Sequence, residues 1–342
     1  GYDLTGLDIC SNSIEIANAK SAEFKLNTRH IRTFFQDAPD KLRDQKFDYI
    51  TCADTYEHIM DRVENLLKPA RKLAKDDARL FLVCPFGSWF QGHWIKSGHP
   101  WLWSEQGEHW LSEKPRAHVI APTVWNVVDE LREAGWYVKN CSVYNQWYPD
   151  VPGQGNVCAE ALAEHPSSVG LDIVVYLGDA PEVWDPNSVN ITGIGGSEMA
   201  AIQMCKRLAS MGNRVRVYSS CGERGEGVYD GVEYRITEKY HDLKCDVLIV
   251  SREGGALEDK HNIQAKTRLL WTHDVYPKSF NRELALKTDK ILALSNWHKN
   301  HILEKCPYVH PDQIIVTQNG IDISRFEQPT SRNPHKVVCS SS

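Results

Sequence analysis

The run Leu171–Gly178, LDIVVYLG, followed by Thr192–Ser220, TGIGGSEMAAIQMCKRLASMGNRVRVYSS, decides how the second half of this 342-residue chain folds. Residues 173–177 are apolar without interruption and end at Gly178, which reads as a strand buried on both faces. Ala201, Ile202, Cys205 and Leu208 recur at helical spacing and share one face of a helix that starts near Gly196. NRVRVYSS is the next strand. A strand, a glycine-rich turn, a helix and a strand make a βαβ unit, in which backbone N–H groups at the helix start can approach a ligand. The turn is not a dinucleotide fingerprint, because Glu198 stands where a third glycine would let helix meet strand. No Lys-Ser or Lys-Thr pair follows, which excludes a Walker-type phosphate loop.

Downstream, GVYDGVEYRI reads as a hairpin turning at Asp230-Gly231. CDVLIVSR, TRLLWTHD, DKILALSN and QIIVTQNGID are further strands. Upstream, the strand LTGLDI ends in Asp8 before the helix SNSIEIANAK, and IRTFFQDAPDKL, KFDYITCADTYEHI and ARLFLVCP continue the alternation. Acids at strand ends suit ribose hydroxyls and an adenine amino group, so Asp8 and Asp37 are candidates for those roles; either equally caps the next helix. Tyr148–Gly170 is rich in Pro, Gly and Ser and reads as a linker. The expected fold is α/β, with two doubly wound Rossmann-like sheets joined by that linker. The expected units are residues 1–147, the linker 148–170, 171–326 and 327–342.

Composition is that of an ordinary globular protein, with 42% apolar and 25% charged residues and a net charge of −6. No nucleic-acid partner is expected from that charge, and no apolar run is long enough for a membrane span. Ten cysteines without a C-x-x-C pair suggest reduced thiols in a cytoplasmic setting. Trp89–Trp110 holds five tryptophans and three histidines. That segment is read either as a stacking surface for an acceptor or as a lid packed on its own rings. The spacing of His93, His99 and His109 fits no metal template, and no metal is expected.

TGLDICSNSIEIA, FFQDAPDKL, KFDYITCADTYEHI and ARLFLVCP, in that order, resemble the later motifs of class I S-adenosylmethionine-dependent methyltransferases. RAHVIAPTVWNVVDELREAGWYVKNCSVY resembles the helix and hairpin that end that fold. The resemblance implies S-adenosylmethionine as methyl donor, with Asp8 on its ribose, Asp37 on its adenine, and Ala53 and Asp54 near its methionine end. His58 and His118 would face the acceptor. The family's first strand and glycine-rich loop would precede Gly1, so the chain is expected to be a piece of a longer polypeptide with an incomplete methyltransferase fold. ADTYEH stands where amino-methylating nucleic-acid enzymes carry Asn/Asp-Pro-Pro-Tyr.

TGIGGSEMAAIQMCKRLASMGNRVRVYSS, LLWTHDVY, ILALSNWHKNHILE and VTQNGIDISRF resemble the N-terminal domain of family 4 retaining glycosyltransferases, which have the GT-B fold. That resemblance implies a nucleotide sugar as donor and a glycan or small molecule as acceptor. Gly195, Gly196 and Ser197 would lie against the donor's phosphate and sugar. His273 would be the catalytic residue beside the transferred sugar, with Asp274 and Ser295 lining the cleft and Asn319 and Gly320 marking the crossing to a second domain. The function implied is a bifunctional enzyme of glycan synthesis or modification; the alternative is a non-catalytic module that binds sugar nucleotides or glycans.

Overall fold

The computed structural model describes residues 3–43, 45–85, 122–144, 155–163, 170–180, 182–191, 193–318 and 320. Fourteen strands form among them: β1 (Leu4–Asp8), β2 (Thr28–Arg32), β3 (Phe47–Ala53), β4 (Ala74–Pro85), β5 (Tyr137–Tyr144), β6 (Asn156–Leu162), β7 (Asp172–Gly178), β8 (Arg214–Ser219), β9 (Gly227–Tyr229), β10 (Val232–Ile236), β11 (Leu243–Ser251), β12 (Ile263–Trp271), β13 (Lys290–Ala293) and β14 (Ile314–Val316). The helices that matter below are α1 (Ser11–Glu23), α2 (Val124–Glu133), α3 (Gly196–Ser210) and α4 (Asn296–Lys305).

The expectation of two separate sheets is corrected. β3 to β14 form a single mixed sheet of twelve strands in the order β14-β13-β12-β11-β7-β8-β10-β9-β5-β6-β4-β3, and β1 pairs only with β2. The stretch read as a linker contains β6, which pairs antiparallel with both β4 and β5. Val157, Ala159 and Ala161 alternate into the core there, so burial of one face overrides the neighbouring Pro and Gly.

Local rules account for the main elements. In α2, Val124, Val127, Val128 and Leu131 are buried at helical spacing, and Thr123 caps the start reciprocally with Asn126. In α3, Ala201, Ile202, Cys205 and Ala209 face the sheet. The hairpin turns where expected: Asp230 and Gly231 both have positive φ, at 51° and 81°, as a two-residue type I′ turn demands. β1 and β2 are held to β3 by side chains rather than by backbone, because Leu7, Ile31, Phe47 and Ile50 pack around Ala38, Leu42 and Leu73.

β7 lies between β8 and β11, so the chain leaves it to one side and later returns on the other. Crevices open beyond the carboxyl ends of strands at such a reversal.

The two halves meet along a narrow seam. β5 touches β9 at one pair, Cys141↔Val228, supported by Gly231 N–H donating to the Lys139 carbonyl at 2.7 Å. Above it, Glu233 is fully buried among Arg132 of α2 at 2.9 Å, Arg214 at 3.3 Å and Arg235 at 2.9 Å. Burial alone would push this carboxyl up, but the three guanidinium groups hold it below the usual range. Glu233→Ala should therefore cost about 1–3 kcal/mol in urea unfolding, because it removes a charged hydrogen-bond partner shared by three part-exposed guanidinium groups. It should also raise amide exchange in β5 and β9 together; a loss under about 0.5 kcal/mol, the surface-substitution range, would show that the seam does not depend on this carboxylate.

Candidate functional site

At the sheet reversal two strand ends meet the start of α3, with a third strand end alongside in the sheet. β11 leads into Arg252, β12 into His273 and Asp274, and β13 into Ser295. Arg252 grips Asp274 with two bonds, Nε to Oδ2 at 2.9 Å and Nη2 to Oδ1 at 3.1 Å. Its Nη1 lies 3.5 Å from Ser197 Oγ and 3.7 Å from Glu198 Oε1. Ser197 Oγ in turn donates to Glu198 Oε2 at 2.9 Å.

His273 lies against Trp271, with ring centroids 4.3 Å apart, and its Nε2 is buried without a hydrogen-bond partner. Burial, then the charge of Arg252, push its pKa down, so the imidazole is neutral at pH 7. Ser295 caps α4 by accepting from His298 N–H at 3.1 Å.

The structure thus brings Ser197, His273 and Asp274 together with Arg252 and Glu198, which sequence reasoning had not assigned a site role. At Gly195 a Cβ would meet only the carboxylate end of Glu198, with Oε2 at 2.2 Å, so a side chain there would displace Glu198 from its present place rather than strain the backbone. Gly196 faces open space, with nothing within 4 Å of a Cβ position, which leaves its backbone open to a ligand. Gly320 is exposed beyond β14; Asn319, His118 and the tryptophan-rich segment lie outside the described residues.

In the first half, Asp8 ends β1 with its carboxylate exposed, and its Oδ1 accepts from Cys10 N–H at 2.7 Å. That bond ties the turn into α1. Thr33 N–H donates to the Asp8 carbonyl at 2.9 Å, which draws the end of β2 alongside. Asp37 is exposed one short turn further on.

Ala53 ends β3, and Asp54 follows in a left-handed conformation, φ 48°, anchored by its N–H to the Val83 carbonyl at 3.0 Å. Beyond it, Tyr56 donates to Glu130 Oε2 at 2.6 Å, and Arg62 clasps the same carboxylate. Glu57 was not singled out from sequence. It is buried, its Oε2 has no partner, and its Oε1 lies 3.8 Å from His58 Nε2. Burial, with a lesser contribution from Asp54, raises its pKa from 4.5 to about 7.

Among the described residues no group of three or more His, Cys, Asp or Glu could hold a metal ion, and no helix is long and apolar enough to cross a membrane.

Residues 1–139 match the model of a family described as a methyltransferase domain. No curated protein matches the chain. Similar solved structures include TehB from Haemophilus influenzae, at 13% identity and TM-score 0.32 over 47% of this chain and 50% of that one. A SAM-dependent methyltransferase from Methanosarcina mazei is 16% identical, with TM-score 0.34, over 47% and 81% of the two chains. One from Thermotoga maritima is 14% identical, with TM-score 0.35, over 47% and 72%. The chain thus spans half the length of the first of these, and at such scores the likenesses carry no assignment.

The Glu57 geometry has a consequence for stability. A carboxyl whose folded pKa lies above its unfolded value stabilises fully below about 4.5 and loses that contribution as pH rises through about 7. Glu57→Gln should accordingly be more stable than the parent at pH 8, by up to about 3 kcal/mol, and indistinguishable from it at pH 4. Denaturation curves at the two pH values test this; equal differences at both would place the Glu57 carboxyl in an ordinary environment.

Proposed function

We propose that the chain combines S-adenosylmethionine-dependent methyl transfer in residues 1–147 with glycosyl transfer from a nucleotide sugar in residues 171–326, in glycan synthesis or modification. The methyl-transfer reading rests on one observation above the others, the match of residues 1–139 to a methyltransferase domain. The residues fit the cofactor: Asp8 keeps Oδ2 outside its bond to Cys10, exposed at a strand end where a ribose diol can donate to it. Asp37 would take the adenine amino group, and Ala53 and Asp54 the methionine end. S-adenosylmethionine supplies an electrophilic methyl group, and His58 stands on the acceptor side of the same strand end.

The glycosyl-transfer reading is favoured by the cluster at the sheet reversal. A helix start with open backbone at Gly196 suits a leaving diphosphate, since aligned N–H groups stabilise developing negative charge. A neutral His273 beside Asp274 suits hydrogen bonding to sugar hydroxyls. The acceptor would be a glycan or small molecule, and no metal ligand set is needed for these contacts.

Two measurements separate the halves. Asp8→Ala should weaken S-adenosylhomocysteine binding about tenfold or more by calorimetry, the scale of a lost charged hydrogen bond; unchanged affinity would remove Asp8 from the cofactor site. His273→Ala should lower sugar transfer from a nucleotide sugar while leaving methyl transfer intact. Equal loss of both activities would refute the division of labour.

A further inference from the structure

The cluster at the sheet reversal contains a residue whose geometry exceeds what packing requires. Arg252 is a non-glycine residue at φ 66°, a left-handed conformation that L side chains avoid. Its backbone is pinned there from both sides, with its N–H donating to the Trp271 carbonyl at 3.0 Å and its carbonyl accepting from Lys278 N–H at 3.3 Å. The effect of this turn is to send the guanidinium across the crevice, where it grips Asp274 bidentately and reaches Ser197 and Glu198.

We propose that Arg252 is a positioning residue that fixes the carboxylates of Asp274 and Glu198 beside His273 as hydroxyl acceptors, so that this part of the crevice takes a neutral polyhydroxylated ligand, a sugar ring, rather than a phosphate. The proposal rests on the glycosyl-transfer reading and specifies which part of the donor or acceptor sits here. Charge decides against a phosphate: two carboxylates flank one guanidinium, so an added anion meets repulsion on two sides. Polyol chemistry matches instead. Each carboxylate has lone pairs beyond those used by Arg252, which hydroxyl groups can fill. The Nε2 of His273, buried without a partner beside these carboxylates, is a further polar atom that a ligand hydroxyl can satisfy. The crevice is open to a ligand, since the side chains of Arg252 and Asp274 are 38% and 32% exposed.

The test compares Arg252→Gln, Arg252→Lys and Asp274→Asn with the parent, using methyl α-glucopyranoside, methyl α-mannopyranoside and inorganic phosphate as probes. The parent should bind a glycoside saturably, with shifts in the His273 ring and in the Arg252 and Asp274 signals, and phosphate should not displace it. All three variants should weaken that binding about tenfold, because lysine keeps the charge but not the planar fork. The His273 titration, read by side-chain NMR, should move to higher pH in Arg252→Gln and stay near the parent value in Arg252→Lys, so that weaker glycoside binding by Arg252→Lys reports the lost planar fork and not a lost charge or fold. A folded Arg252→Gln that retains glycoside affinity, or displacement of the glycoside by phosphate, overturns the proposal. If nucleotide-sugar turnover persists while no glycoside binds, the Arg252 assignment alone fails; loss of both overturns the reading beneath it.

Discussion

The buried carboxylate of Glu233 ties the two halves of this protein together at the seam of one sheet. Removing a carboxylate from water costs several kcal/mol unless it is paired, and Glu233 is paired three times over. Arg214 and Arg235 come from its own half, whereas Arg132 comes from α2 in the other. The third guanidinium, that of Arg132, reaches the carboxylate only when the halves meet. Backbone pairing is sparse there, because β5 and β9 share one residue pair. Arg235 also lies over the Trp125 ring, 3.9 Å from its centroid, so the same ion network covers apolar surface from the first half.

Much of the architecture was legible because it follows local rules. The central strand β7, the buried face of α3 and the Asp230-Gly231 turn all follow from apolar spacing and backbone preference. The seam does not. Arg132 and Glu233 each read in sequence as solvated charge on an amphipathic element, and only a contact roughly a hundred residues away makes them buried partners. β6 was misread for a different reason. Its period-two alternation is present at Val157, Ala159 and Ala161, but a composition-based boundary at the surrounding Pro and Gly took precedence.

The candidate sites show the same division. Gly195, His273 and Asp274 stand at strand and helix ends, where position alone draws attention. Arg252 ends a strand without any motif, and its importance lies in partners 22 and 55 residues away. Nor does sequence distinguish the glycine that sits against the Glu198 carboxylate from the one beside open space. A side chain at Gly195 would push the Glu198 carboxylate aside, whereas at Gly196 a Cβ meets nothing within 4 Å among the described residues. Asp8 shows the opposite limit: a capping role and a ligand role use different oxygens of the same carboxylate, so finding the cap does not exclude the ligand.

Two buried glutamates, placed side by side, indicate where this fold tolerates cost. Glu233 is drawn below the usual carboxylate range by three cations, and it stabilises the fold. Glu57 is raised to about 7 and retains a buried oxygen with no partner. Folded proteins leave few buried polar atoms unpaired, so each exception calls for a cause. Trp125 Nε1 and Arg235 Nε lie together at the seam, but Glu57 Oε2 sits beyond the end of β3, Ser219 Oγ at the end of β8, and the unpartnered nitrogens of His273 and His298 beside the ends of β12 and β13. These are the strand ends at which α/β sheets hold their ligands. Such cost is what a site carries when its polar groups are aimed at something other than the protein itself.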